Sequence, residues 1–116
     1  MQPSSIEHIE TRDNQQARLI IDGRWFYDAI KPMPVQVFAL NFDYYYDLDE
    51  GYHEEGQTPQ LNDQGEQYVV VWYEGKFFNG PGFPSTGYMT LNEAKNYATS
   101  VVQEIEWNEP FTSNYC

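Results

Sequence analysis

The sequence is poor in residues that form disulfides, bind zinc or attract nucleic acids. It has one cysteine, Cys116, and two histidines, so an internal disulfide cannot form and zinc lacks its preferred ligands. Six residues are Lys or Arg against 18 Asp or Glu, which gives a formal net charge of −12. Because a field of this sign repels phosphate backbones and anionic membranes, we expect neither as a partner.

Long apolar segments are also missing. The longest apolar run, 68–73, is too short to cross a bilayer, and no charged-then-apolar signal pattern opens the chain. We therefore expect a cytoplasmic protein, and a lone thiol is consistent with a reducing compartment. With 41% apolar and 17% aromatic residues, the 116-residue chain is predicted to fold rather than to remain a disordered acidic segment.

Three parts are predicted along the chain. Residues 1–16 are expected to be a flexible or short-helical N-terminus, 17–108 a single α+β calcium-binding domain, and 109–116 a loose C-terminal tail. For the domain we predict an antiparallel sheet of about five strands with one C-terminal α-helix packed on it.

Two tight hairpins are expected within this sheet. Asp22-Gly23 lies between apolar runs, which is a strong hairpin signal, and Pro32 and Pro34 should then interrupt strand pairing. Further on, the runs 68–73 and 77–78 should be strands joined through a tight turn at Glu74-Gly75.

A capping box predicts where the C-terminal helix begins. After the Gly- and Pro-rich stretch 79–87, Thr90 and Glu93 have the S/T-x-x-E spacing in which each side chain satisfies a backbone N–H. Apolar residues then recur at helical spacing, which predicts a face buried on the sheet. This stripe comprises Leu91, Ala94, Ala98, Val101, Val102 and Ile105, and the helix should end before Pro110.

The strand that starts at Val35 should continue to about Asp47, because apolar and polar residues alternate along it. Its outward face would then become acidic at Asp43 and Asp47. The long loop 49–66 follows, and loops of this length are uncommon in compact domains unless they bind something or are disordered.

Acidic residues are concentrated here, and the sequence has no Lys or Arg between Lys31 and Lys76. The eight acids are Asp43, Asp47, Asp49, Glu50, Glu54, Glu55, Asp63 and Glu66. Crowded carboxylates repel one another, and a hard cation with about six to eight oxygen ligands relieves that repulsion. We therefore predict that these residues bind one or two Ca²⁺ ions and buffer calcium.

The spacing is not that of an EF-hand, which requires Gly at the sixth position and Glu at the twelfth. Counting from Asp47, Tyr52 and Thr58 occupy those positions. Two alternatives remain open: a solvated acidic loop, or an acidic interaction or inhibitor module that binds a basic protein surface. Catalytic triads and phosphate-binding loops are not recognisable, so we predict a binding protein rather than an enzyme.

One family has a similar acidic segment. The run from Asp43 to Gly51, DYYYDLDEG, followed by His53-Glu54-Glu55, resembles the small calcium-binding proteins of filamentous cyanobacteria, the CcbP type. The resemblance implies a non-EF-hand protein that sequesters intracellular Ca²⁺, in cells where free calcium is linked to heterocyst differentiation. It assigns no individual ligands to this sequence.

Overall fold

The computed structural model describes residues 9–12, 14–48 and 56–108, which form an antiparallel sheet with helices against it. Its elements are β1 (Ile9–Arg12), β2 (Gln15–Tyr27), β3 (Lys31–Leu40), α1 (Tyr44–Leu48), β4 (Gln67–Val71), a 3-10 helix (Phe77–Asn79), α2 (Leu91–Val102) and β5 (Glu106–Trp107). The strand order is β1-β2-β3-β4, and the two-residue β5 pairs with β2. This arrangement confirms the predicted α+β class with an antiparallel sheet and a C-terminal helix, although strand positions and lengths differ from those expected.

β2 runs without a turn through Asp22-Gly23, so the hairpin predicted there is wrong. The chain instead reverses at Asp28 and Ala29, whose φ angles are 57° and 62°. Gly23 is needed for a different reason. A side chain at this position would collide with the backbone carbonyl of Glu106, where β5 lies against β2.

Pro32 and Pro34 do not interrupt strand pairing, contrary to expectation. Both lie in β3, opposite Phe26 and Arg24 of β2. Since β4 pairs with β3 only from Gln36 onward, this stretch of β3 has a single neighbouring strand among the described residues. Proline is tolerated on such an edge because its missing N–H removes no ladder bond on the open side.

The strand predicted to reach about Asp47 is also wrong, because β3 ends at Leu40 and α1 follows. Asp43 caps α1: its Oδ1 accepts a hydrogen bond from the Tyr46 N–H at 3.3 Å. One turn later the Asp47 N–H donates to the Asp43 carbonyl at 2.9 Å. A short capping side chain therefore overrides the alternating pattern, and the two acids lie on one helical turn.

The second predicted hairpin is replaced by the 3-10 helix. Phe77 is 5% exposed and packs on Phe38, with 5.4 Å between ring centroids. The backbone of residues 85–88 lies along the outer edge of β4 instead. Tyr88 exchanges two hydrogen bonds with Tyr68, and the Ser85 N–H donates to the Val70 carbonyl. The 77–78 segment is thus directed into the core rather than along β4.

The central part of the sheet, residues 35–40 of β3 together with β4, is buried on both faces. Successive residues of these strands point to opposite sides, and apolar side chains pack on each. One face contributes Ala17, Phe38, Leu40, Phe42, Val69, Val71 and Phe77. The other packs against α2 and contributes Ile21, Val35, Val37 and Val70, together with Ala94 and Ala98 of the helix. Two buried faces explain the nearly continuous apolar sequence of these strands.

α2 begins as predicted. The Thr90 Oγ1 accepts from the Glu93 N–H at 3.1 Å, and the Glu93 Oε1 accepts from the Met89 N–H at 3.1 Å. The predicted apolar stripe is only partly correct, since Val101 is 52% exposed and Ile105 lies beyond the end of the helix.

β1 lies within segment 1–16, which was expected to be flexible or short-helical, so the sheet starts earlier than predicted. The tail 109–116 is outside the described residues. None of the helices in the described part of the chain is long and apolar enough to cross a membrane.

The helix cap provides a first test. Thr90→Ala should lower the free energy of unfolding by about 1 kcal/mol, because the Glu93 N–H loses its side-chain acceptor. Thr90→Ser keeps that acceptor and should stay close to the wild type in the same urea denaturation series. Equal stability of all three proteins would contradict the assigned cap.

Candidate functional site

The predicted acidic residues that the structure describes lie at one end of the sheet, where β3 ends and β2 and β4 begin. Asp43 and Asp47 belong to the cap and body of α1, which follows β3, while Asp63 and Glu66 precede β4. The other four predicted ligands, Asp49, Glu50, Glu54 and Glu55, are outside the described residues.

Asp43 is held by backbone donors on two sides. Besides the cap contact to Tyr46, its Oδ2 accepts from the Gln60 N–H at 2.8 Å. The side chain therefore ties the start of α1 to the segment that precedes β4. Both donors are neutral, so the carboxylate is fixed in position, and no described Lys or Arg side chain pairs with it.

Asp47 is also fixed by a neutral donor. Its Oδ2 accepts from the Gln15 Nε2 at 2.6 Å, which connects α1 to the first residue of β2. A carboxylate has about four lone-pair sites, and among the described residues the Gln15 amide is the one group that donates to this carboxylate, which leaves acceptor capacity for another ligand.

Glu66 is neutralised, contrary to the reasoning from local sequence. The Arg18 Nη2 lies 2.9 Å from Glu66 Oε2 and 3.2 Å from Oε1. Arg18 comes from β2, so this cation is distant in sequence but adjacent in the sheet. Because the Arg18 side chain is 44% exposed, the ion pair contributes at most about 1 kcal/mol to stability.

Asp63 lies on an exposed turn that Asn62 shapes. The Asn62 Oδ1 accepts from the N–H groups of Gln64 and Glu66 at 2.9 and 3.0 Å. Within the part of the chain that the structure describes, no three His, Cys, Asp or Glu side chains are placed to hold a metal ion together. The described half of the predicted ligand set therefore does not form a site by itself.

Gln67, the first residue of β4, is a buried polar residue that sequence reasoning missed. It is 1% exposed; its Oε1 accepts from the Tyr44 N–H at 3.3 Å and its Nε2 donates to the Gln60 carbonyl at 3.0 Å. Gly87 leaves room for this amide, because a side chain there would collide with it. A glutamine at the start of an apolar strand predicts an exposed side chain. The sequence therefore gave no sign that this amide is buried and joins two segments.

A cavity of about 280 Å³ lies between α1, the 3-10 helix and the segment 80–84. Its aromatic walls are the rings of Tyr44, Tyr73, Phe77, Phe78 and Phe83. We refer to it as the aromatic pocket. Phe83 is 71% exposed and forms its rim. The Gly- and Pro-rich composition of 79–87 marks this wall in the sequence, but it predicts only a connection between elements.

Two tyrosine hydroxyls fix the walls of the aromatic pocket. The Tyr73 hydroxyl donates to the Phe77 carbonyl at 2.9 Å, and the Tyr45 hydroxyl donates to the Pro84 carbonyl at 2.6 Å. Burial raises the pKa of Tyr73, with a smaller contribution from Tyr44, so this hydroxyl remains a protonated donor well above neutral pH. Gly80 passes directly over the Tyr73 ring, where a side chain would collide with it.

Comparison with known proteins gives no relative: no protein-family model, curated protein or solved structure matches this chain.

The buried glutamine can be tested by substitution. Gln67→Leu should lower the free energy of unfolding by about 1–3 kcal/mol, because the Tyr44 N–H and the Gln60 carbonyl lose a buried partner. Gln64→Leu makes the same chemical change at an exposed position and should alter stability by less than about 0.5 kcal/mol. Chemical denaturation monitored by tryptophan fluorescence distinguishes the two, and equal effects would contradict the assigned role.

Proposed function

We propose that the acidic segment starting at Asp43 binds Ca²⁺ and that the protein buffers calcium. One observation carries the proposal. Asp43 and Asp47 lie one helical turn apart, and the described groups that donate to their carboxylates are neutral. Four further acids follow in sequence at 49, 50, 54 and 55. Two fixed anionic groups at the start of an acid-rich segment reduce the cost of assembling a site for a hard cation.

The ligand chemistry favours calcium over other common metals. Carboxylate and carbonyl oxygens are the ligands that Ca²⁺ prefers, and its coordination geometry is flexible enough for an irregular site. Mg²⁺ requires a near-ideal octahedron and should compete poorly. Zinc prefers nitrogen and sulfur ligands, and the chain has two histidines and one cysteine. Glu66 is a weaker candidate ligand than the other acids, because Arg18 already pairs with its carboxylate.

Isothermal titration calorimetry with CaCl₂ tests the proposal. Saturable binding is expected for the wild type, and Asp47→Asn should raise the Kd at least about tenfold, since even groups that only support metal ligands contribute about 10–100-fold. Asp28→Asn is the matched control: it removes the same charge at the tip of the β2–β3 hairpin, where asparagine tolerates a positive φ.

The control should leave the Kd within about twofold, because a distant exposed charge is screened at ordinary ionic strength. If Ca²⁺ binds only the folded form, a concentration of 100 times the Kd should add about 2.7 kcal/mol to the free energy of unfolding. A titration without saturable heat, or equal weakening by the Asp47 and Asp28 variants, would contradict the proposal.

A second candidate function is an acidic module that binds a basic protein. The aromatic pocket favours it, because a calcium buffer has no need of an open cavity lined by rings. Aromatic residues are enriched in protein-binding surfaces, where they contribute much of the affinity. The formal net charge of −12 would steer a basic partner toward the surface.

A further inference from the structure

The aromatic pocket offers rings and backbone to a ligand but no charge. None of the residues that line it is Asp, Glu, Lys, Arg or His. A charged group that leaves water loses its hydration, and it regains that free energy only if a counter-charge meets it. The formal net charge of −12 additionally repels anions from the whole surface. The lining therefore favours an uncharged ligand.

The rings of the pocket walls pack on one another edge to face. The centroids of Tyr44 and Phe77 are 5.8 Å apart with 89° between the ring planes, and those of Phe77 and Phe78 are 5.1 Å apart at 82°. Phe83 differs from them: it is 71% exposed at the rim and forms no ring pair among the described residues. Because aromatic pairs contribute more than their buried area alone, an aromatic guest is favoured over an aliphatic one.

The pocket has the volume of one substituted ring. A protein cavity of about 150 Å³ accommodates benzene, and this pocket measures about 280 Å³. Its walls are cross-linked, because the Tyr45 hydroxyl donates to the Pro84 carbonyl and the Tyr73 hydroxyl donates to the Phe77 carbonyl. Walls held in this way need little rearrangement to receive a ligand, which lowers the entropic cost of binding.

We propose that the aromatic pocket binds a small uncharged molecule with a single aromatic ring. The guest ring packs against the exposed ring of Phe83 and the rings of the walls, and its polar substituent stays on the open side, in contact with water. This inference goes beyond calcium binding and the basic-partner function, and it depends on neither of them.

An amide NMR titration tests the proposal with ligands that share a shape and differ in one property. Benzyl alcohol is the uncharged aromatic probe, benzylammonium is its cationic counterpart, and benzoate is its anionic counterpart. Cyclohexylmethanol replaces the aromatic ring with an aliphatic one. Benzyl alcohol should bind saturably and shift the amide signals of Phe78, Gly80 and Phe83. Its Kd should be lower than those of the two charged ligands, and at least about twofold lower than that of cyclohexylmethanol.

A variant at the rim assigns the binding to the pocket. Phe83→Leu removes the ring while keeping an apolar side chain, and it should raise the Kd for benzyl alcohol by between about twofold and tenfold. Tyr27→Leu is the matched control, because Tyr27 is 61% exposed and lies at the end of β2 that meets the hairpin turn. Both side chains are exposed, so both variants should fold, which the dispersion of their NMR spectra checks.

Support requires pocket-localised shifts, a weaker response to the other three ligands, and a loss in Phe83→Leu that Tyr27→Leu does not reproduce. Absence of saturable shifts, shifts confined to residues outside the pocket, or equal weakening by both variants would overturn the site. Tighter binding of benzylammonium or benzoate would overturn the uncharged class, and equal binding of cyclohexylmethanol would overturn the aromatic one.

The titration also distinguishes a free ligand from a ring presented by another protein. N-acetylphenylalaninamide carries the same ring on a peptide backbone, and tighter binding of this compound than of benzyl alcohol would overturn the assignment to a small molecule. None of these outcomes bears on the CaCl₂ titration, so the calcium proposal and this one can fail separately.

Discussion

The buried amide of Gln67 is the contact on which the arrangement of the acidic end depends. It joins β4 to the first backbone N–H of α1 and to the carbonyl of Gln60, so three segments share one side chain. A buried polar group without partners costs about 1–3 kcal/mol, which disfavours placements of α1 that break these contacts. Asp43 strengthens the same junction, because its carboxylate also accepts a bond from the Gln60 backbone.

α1 contributes residues to two surfaces, the aromatic pocket and the acidic end of the sheet. Tyr44 packs with Phe77 in the core, at 5.8 Å between ring centroids, and lines the aromatic pocket. Asp43 and Asp47, one turn apart, meet donors from Gln60 and Gln15 instead. A five-residue helix would not be stable alone, so its form derives from these tertiary contacts. The two proposed binding functions therefore depend on the same small element.

The sequence was sufficient for features governed by local rules and strong burial. The capping box located α2, and the apolar runs located much of β3 and β4. It was insufficient where a distant partner decides the outcome. Gly23 suits a turn, yet β5 requires it inside a strand. The alternation through Asp43 and Asp47 suits a strand, yet the Asp43 cap favours a helix.

The sequence also did not reveal the candidate site, because residues distant in sequence decide which acids remain available. A run of acids is visible in the sequence, but Arg18, which neutralises Glu66, is 48 residues away. The aromatic pocket unites residues from three separate segments, and only its Gly- and Pro-rich wall differs in composition from an ordinary connection. Local patterns thus revealed the charge but not which charges remain available for a ligand.

The chain as a whole has a large excess of acidic residues. Arg18 and Arg24 are engaged with Glu66 and Glu106, and the chain contains 18 acidic residues for six basic ones. Even if each basic residue paired with a different acid, the formal net charge would remain −12. This excess destabilises the compact state through self-repulsion, and any bound cation relieves it.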